Sequence, residues 1–135
     1  MLKKRIIPLL LLKNERMVKG KKFQNFIDTG NPLTTVKVYS SQEADELMFI
    51  DIEQNKYSKN MLIETIKKVS KECSMPLSAG GGIKSVKDVR NLLLAGADKV
   101  IINSELINNP ILIKNVAEVF GSQCIVGGID YKNDK

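Results

Sequence analysis

A chain of 135 residues is long enough for one domain with a real core, and 43% hydrophobic with 27% charged residues excludes a disordered polymer. The 21 Lys and Arg against 15 Asp and Glu give a formal charge of +6. These cations are scattered rather than gathered into a basic stripe with interleaved aromatics, which fits a lysine-rich solvated surface or an anionic small molecule and argues against nucleic acid. With no histidine and only Cys73 and Cys124, a zinc site and a histidine-based triad are excluded as patterns, and no metal or other cofactor is expected.

The opening MLKKRIIPLLLL has a basic start and an apolar run, as a secretory signal has. The run is short, contains Pro8 and lacks a small-residue cleavage site, so it reads as a buried strand over residues 5–12 of a cytoplasmic protein without a membrane span. A long polar loop is expected from Lys13 to Gly30, then a helix over 31–43 and a strand over 46–52 (ELMFIDI). Ser58 is a plausible start for a helix whose Leu62, Ile66 and Val69 form one apolar stripe. A strand over 76–80 runs into the glycine-rich turn AGGGIKS. From Ser85 a helix carries Val86, Val89 and Leu93 and stops at Gly96. A strand over 99–103 ends at Asn103 and Ser104. Asn109 and Pro110 open a helix with Leu112, Val116 and Val119 on one side, and Gly121 closes it. The last strand, 124–130 (CIVGGID), ends in Asp130.

Alternating short apolar runs and helical-period segments are the pattern of a parallel α/β fold. The runs are apolar nearly throughout, as expected of strands covered on both faces. Periodicity leaves open a doubly wound sheet and part of a (β/α)8 barrel, although the turn after the first strand, LKNERMVKG, holds no GxGxxG fingerprint. Gly80, Gly81 and Gly82 ahead of a helix let the backbone approach an anion, so that exposed amides and the helix N-terminus bind phosphate. A tight strand-to-helix turn without a ligand explains the same residues. In a barrel this turn, Asn103 and Ser104 would share the C-terminal face, where binding loops gather.

The segments KRIIP, VKGKKF, ADELMFIDI, LSAGGGIKSVKDV, LLLAGADKVIINS, NNP and FGSQCIVGGID, in this order and spacing, resemble the N-terminal half of the cyclase subunit of imidazole glycerol phosphate synthase. The resemblance covers essentially the whole chain. It implies a (β/α)8 barrel family, with residues 1–135 as a single incomplete domain of four βα units and a fifth strand, where the whole fold takes about 250 residues. It also implies a lyase of histidine biosynthesis. A separate glutaminase subunit releases ammonia, which passes through the barrel to the C-terminal face, where a phosphorylated nucleotide is cleaved and cyclised. In family terms Lys19 contacts substrate, while Gly82, Asn103 and Ser104 hold one terminal phosphate, Gly81 belonging to the same turn. The acid/base aspartate of the fifth strand matches Asp130.

Where the family has an aspartate at the end of the first strand, in a stretch reading roughly CLDVKDG, this chain has LLLLKNE, so Leu11 stands at an acid/base position. Leucine moves no proton, and such a group contributes roughly 100- to 10,000-fold, so cyclase activity is expected to suffer. Glu15, on the loop, would not occupy the same point. Glu53, Gln54 and Asn55 replace a small polar stretch, and a negative charge there opposes a phosphorylated substrate. Arg5, Glu46 and Lys99, at three strand starts, match a salt-bridged ring that gates ammonia in the family, although strand starts often carry solvated charges. Asp98 faces the glutaminase side. This combination resembles a paralogous branch found with surface-polysaccharide genes, in which barrel and glutaminase deliver ammonia to a sugar amidotransferase. A third expectation is a non-catalytic half-barrel: five parallel strands do not close a barrel, so the first and fifth strands would expose edges through which the chain self-associates.

Overall fold

The computed structural model describes residues 2–21, 24–53 and 55–131. Strand β1 (Leu9–Lys13) is followed by β2 (Arg16–Lys21), β3 (Gln24–Gly30), α1 (Pro32–Ser41), β4 (Leu47–Asp51), α2 (Lys56–Glu72) and β5 (Leu77–Gly80). Then come α3 (Val86–Ala95), β6 (Lys99–Ile102), α4 (Ser104–Asn108), α5 (Pro110–Phe120) and β7 (Ile125–Gly127). The sheet order is β3-β2-β1-β4-β5-β6-β7, with β1, β4, β5, β6 and β7 parallel. Each new parallel strand is added beside the previous one without reversal, and the helices follow one another in the same sense. That is the winding of a barrel arc; a doubly wound sheet reverses at a switch point.

Residues of alternate parity divide the two faces of the sheet. Leu47, Phe49, Leu77, Ala79, Val100 and Ile102 are buried in one cluster with Val36 of α1, Leu62, Ile66 and Val69 of α2, Val89 and Leu92 of α3, and Leu112 and Val116 of α5. Phe49 is fully buried, worth about 2–3 kcal/mol by area. The expectation that both faces are covered is corrected here. Leu9 is 53% exposed, and Leu11, Met48 and Ile50 are half-buried, because no helix among the described residues packs on the concave side. The stripe on α5 is likewise shorter than expected, since Val119 remains 54% exposed.

Between Lys13 and Gly30 the expected loop is a β-hairpin. Asn14 and Glu15, both at positive φ, 50° and 58°, form the two-residue turn that joins β1 to antiparallel β2. Arg16 holds Asp28 across β2 and β3 at 2.8 Å. Strand β2 pairs with β1 through Leu11–Val18 and Lys13–Arg16, so the first parallel strand is not an edge, and the outer strands are β3 and β7. The self-association expected through the first strand therefore loses that surface. The α2 start is also corrected: Asn55 is the cap, its side chain accepting Ser58 N–H at 2.8 Å while the Ser58 hydroxyl accepts Asn55 N–H, a reciprocal box that puts Ser58 inside the helix. Ser85, Asn109 with Pro110, Gly96 and Gly121 bound their helices as expected. Helix α4 was not legible beforehand.

Candidate functional site

The C-terminal ends of the parallel strands surround a cleft of about 390 Å³. Its floor is the uncovered apolar face of the sheet: Leu9, Leu11, Ile50 and Ile101. Gly81, Gly82 and Lys84 form one wall, and Asn103, Ser104 and Asp130 another. Gly81 has φ 126°, and a Cβ there would collide with the Asp51 backbone carbonyl. The turn is thus glycine for two reasons, the backbone conformation and the close approach to β4.

The turn into α3 is tied up by a carboxylate of the helix itself. Asp88 accepts Lys84 N–H at 2.9 Å, Ser85 N–H at 3.1 Å and the Lys59 ammonium at 2.9 Å. Burial disfavours the Asp88 carboxylate, but these donors outweigh it and hold its carboxyl below the ordinary range. Lys84 and Ser85, the two residues before α3, thus give their amides to Asp88, and the glycine turn and the Asn103–Ser104 segment line the cleft.

Asn103 Nδ2 donates to Asp130 Oδ2 at 2.6 Å. Leu11 lines the same cleft, so the position lacking a carboxylate and the position retaining one open on a common space. Glu53 does not confront the cleft as a free charge: it lies 3.6 Å from Lys13 Nζ, and Gln54 is outside the described residues. Glu15 sits exposed at the hairpin turn and lines a small recess beside Asp51 and Ser58, away from the cleft floor. Lys19 stands exposed on β2, paired with Ile27, and is not among the residues that line the cleft.

Asp51 was missed by sequence reasoning. It ends β4, borders the cleft, and is only 6% exposed. Burial pushes its carboxyl up to about 6; Glu53 N–H, donating at 2.9 Å, and Ser58 oppose this, and the Glu53 charge adds to it. Its parity is that of Leu47 and Phe49, the helix-covered side. The available signal was the lone acid closing the apolar run LMFID.

At the opposite end of the sheet Arg5, Glu46 and Lys99 converge as expected. Glu46, 3% exposed, accepts the Arg5 guanidinium and lies 3.8 Å from Lys99 Nζ. Asp98 is tied to the start of β5, accepting Leu77 N–H at 2.7 Å. No helix among the described residues is long and apolar enough to cross a membrane.

Residues 5–135 match the family model described as "Histidine biosynthesis protein". The chain belongs to this family. Imidazole glycerol phosphate synthase subunit HisF of Methanocaldococcus jannaschii is 47% identical over 132 residues, covering 98% of this chain and 48% of that protein. The subunits of the same description from Methanococcus vannielii and Caulobacter vibrioides are each 46% identical, over 134 and 132 residues, covering 99% and 98% of this chain and 49% and 51% of theirs. The chain spans about half the length of the curated relatives it matches. In this HisF-like family the fold is a (β/α)8 barrel, and the parallel strands described here form an open arc of it.

Proposed function

We propose that the chain acts as a HisF-type cyclase subunit, in which ammonia from a glutaminase partner meets a phosphorylated nucleotide at the C-terminal cleft. The observation that carries this reading is the convergence of Gly82, Ser104 and Asp130 on one cleft in a chain 46–47% identical to cyclase subunits. Backbone amides of the Gly81–Gly82 turn and of Ser104 offer donors to a terminal phosphate, with Lys84 supplying positive charge nearby. Asp130, a carboxylate on the rim, accepts a proton from the reacting nitrogen. Arg5, Glu46 and Lys99, at the far end of the strands, form the gate by which ammonia enters, next to the surface that meets the glutaminase. The reading implies a cytoplasmic lyase of histidine biosynthesis.

Leu11 favours a second reading. An apolar side chain on the cleft floor removes one acid/base group without disturbing the gate, which suits a subunit that delivers ammonia onward to a sugar amidotransferase. Supplying the protein with ammonium salt and the phosphorylated nucleotide separates the two. Turnover abolished by Asp130→Asn supports the cyclase. No turnover, together with faster glutamine hydrolysis by the glutaminase when this chain is added, supports ammonia delivery and ends the first reading.

A further inference from the structure

Asn103 occupies the residue before α4, where asparagine ordinarily spends its side chain on the helix's own amides. Here it makes no such bond. Its backbone sits at φ −114° and ψ −84°, outside the extended region usual for a cap, and its carboxamide reaches instead to Asp130. The two residues are 27 positions apart and lie just beyond the C-terminal ends of neighbouring parallel strands, β6 and β7. What brings them together is Gly128, the first residue after β7. Gly128 N–H donates to Ile102 O at 2.8 Å, and a Cβ on Gly128 would be tight against Ile101 Cγ2, at 3.3 Å, and in van der Waals contact with Asn103 Cβ, at 3.5 Å. The approach of the two chain segments is thus closed up around this contact, and a local helix preference worth about 1 kcal/mol is given up for it.

We infer that Asn103 is a positioning residue for Asp130: its carboxamide holds the carboxylate over the cleft, and it is not through this side chain that the cleft binds phosphate. This rests on the cyclase reading only for the task given to Asp130. An amide N–H donating to an ionised carboxylate is a charge-assisted bond, and it leaves the second carboxylate oxygen directed by the geometry of the first. The phosphate donors are then the backbone amides around Gly82 and Ser104, which a change of the Asn103 side chain leaves in place.

The test uses inorganic phosphate as the probe and nuclear magnetic resonance as the readout. Phosphate is titrated into the unaltered protein and into Asn103→Ala while the Gly82 and Ser104 amide signals are followed. The Asn103 side-chain NH2 signal is followed separately against pH, in the unaltered protein and in Asp130→Ala. The expected result is a phosphate affinity unchanged within about twofold in Asn103→Ala, and an NH2 signal that follows a carboxylate titration and loses it in Asp130→Ala. A loss of affinity of about tenfold or more in Asn103→Ala would make the side chain a phosphate ligand and overturn the inference. So would an NH2 signal indifferent to Asp130. If phosphate moves neither amide in the unaltered protein, the phosphate site of the proposed function falls, while the NH2 signal still decides the role of Asn103. In any form that turns over, Asn103→Ala lowers kcat by about tenfold or more with KM little changed, because the group it serves acts on the reacting atoms; the reverse split also overturns the inference.

Discussion

At the N-terminal end of the parallel strands Glu46 lies buried between Arg5 and Lys99, whereas at the C-terminal end Asp130 stands exposed on a cleft rim, tethered by Asn103. The first group is complete in itself: a carboxylate out of water has two cations to compensate its desolvation. The second surrounds a ligand-sized cleft lined by glycine backbone, Asn103, Ser104 and Asp130, with an apolar side chain, Leu11, on its floor. Under the proposed function, one end of the sheet is therefore sensitive to mutation through stability, the other through chemistry.

The largest change should come from restoring the missing group. Leu11→Asp puts a carboxylate on the cleft floor, and under the cyclase reading it raises turnover by roughly 100-fold or more, measured with ammonium salt as nitrogen source. No rise in a folded variant that still binds phosphate would remove Leu11 from the acid/base position. Next is Gly81→Ala, which collides with the Asp51 backbone and strains a positive φ; a loss of about 3 kcal/mol in urea unfolding is expected, and a neutral result would mean that the turn relaxes freely.

Glu46→Gln tests the other end. It leaves two cations facing each other with no charge between them, at a cost of about 2 kcal/mol, less than for a fully buried pair because both cations keep contact with water. Equal stability of variant and parent would show that the trio contributes nothing to the fold.

The smallest effect is that of pH on Asp51. Its folded value, about 6, lies above the ordinary 3.8, so the folded state holds a proton that the unfolded chain has already released between these values. Its contribution to stability is therefore most favourable below 3.8 and is lost as pH rises through about 6. Urea midpoints of the unaltered protein should fall relative to those of Asp51→Asn over that interval. Parallel pH curves for the two proteins would mean that Asp51 titrates as an ordinary exposed acid.

Much of the architecture was readable from local pattern. The five parallel strands, the helix stripes Leu62–Ile66–Val69 and Leu112–Val116, and the caps Ser85 and Asn109–Pro110 follow from periodicity and capping chemistry, which act over a few residues. Strands β2 and β3 were missed because RMVKGK and QNFIDTG are largely polar and exposed, and the Asn14–Glu15 turn that joins β1 to β2 lacks the usual glycine. Short α4 was missed because five residues carry no helical period. The α2 start was displaced to Asn55 because a serine three residues inside a helix and a serine at its cap look alike until the reciprocal bonds are seen.

The cleft divides in the same way. Gly82, Ser104 and Asp130 were identifiable as residue types at strand ends, and family resemblance assigned them roles. Asp51 was not, because whether a carboxylate at a strand end is solvated or desolvated depends on what α2 lays over it.

What the amino-acid sequence determined alone is the order of the parallel strands and of the longer helices between them, the family, and the absence of a carboxylate at position 11. Those properties are written in side-chain type and short-range spacing. Only the tertiary structure decided that Lys59 pairs with Asp88 behind the glycine turn, that Lys13 pairs with Glu53, and that Asn103 belongs to Asp130. Each of these is a choice between partners far apart in sequence, made by which charges and donors the folded sheet carries into reach of one another.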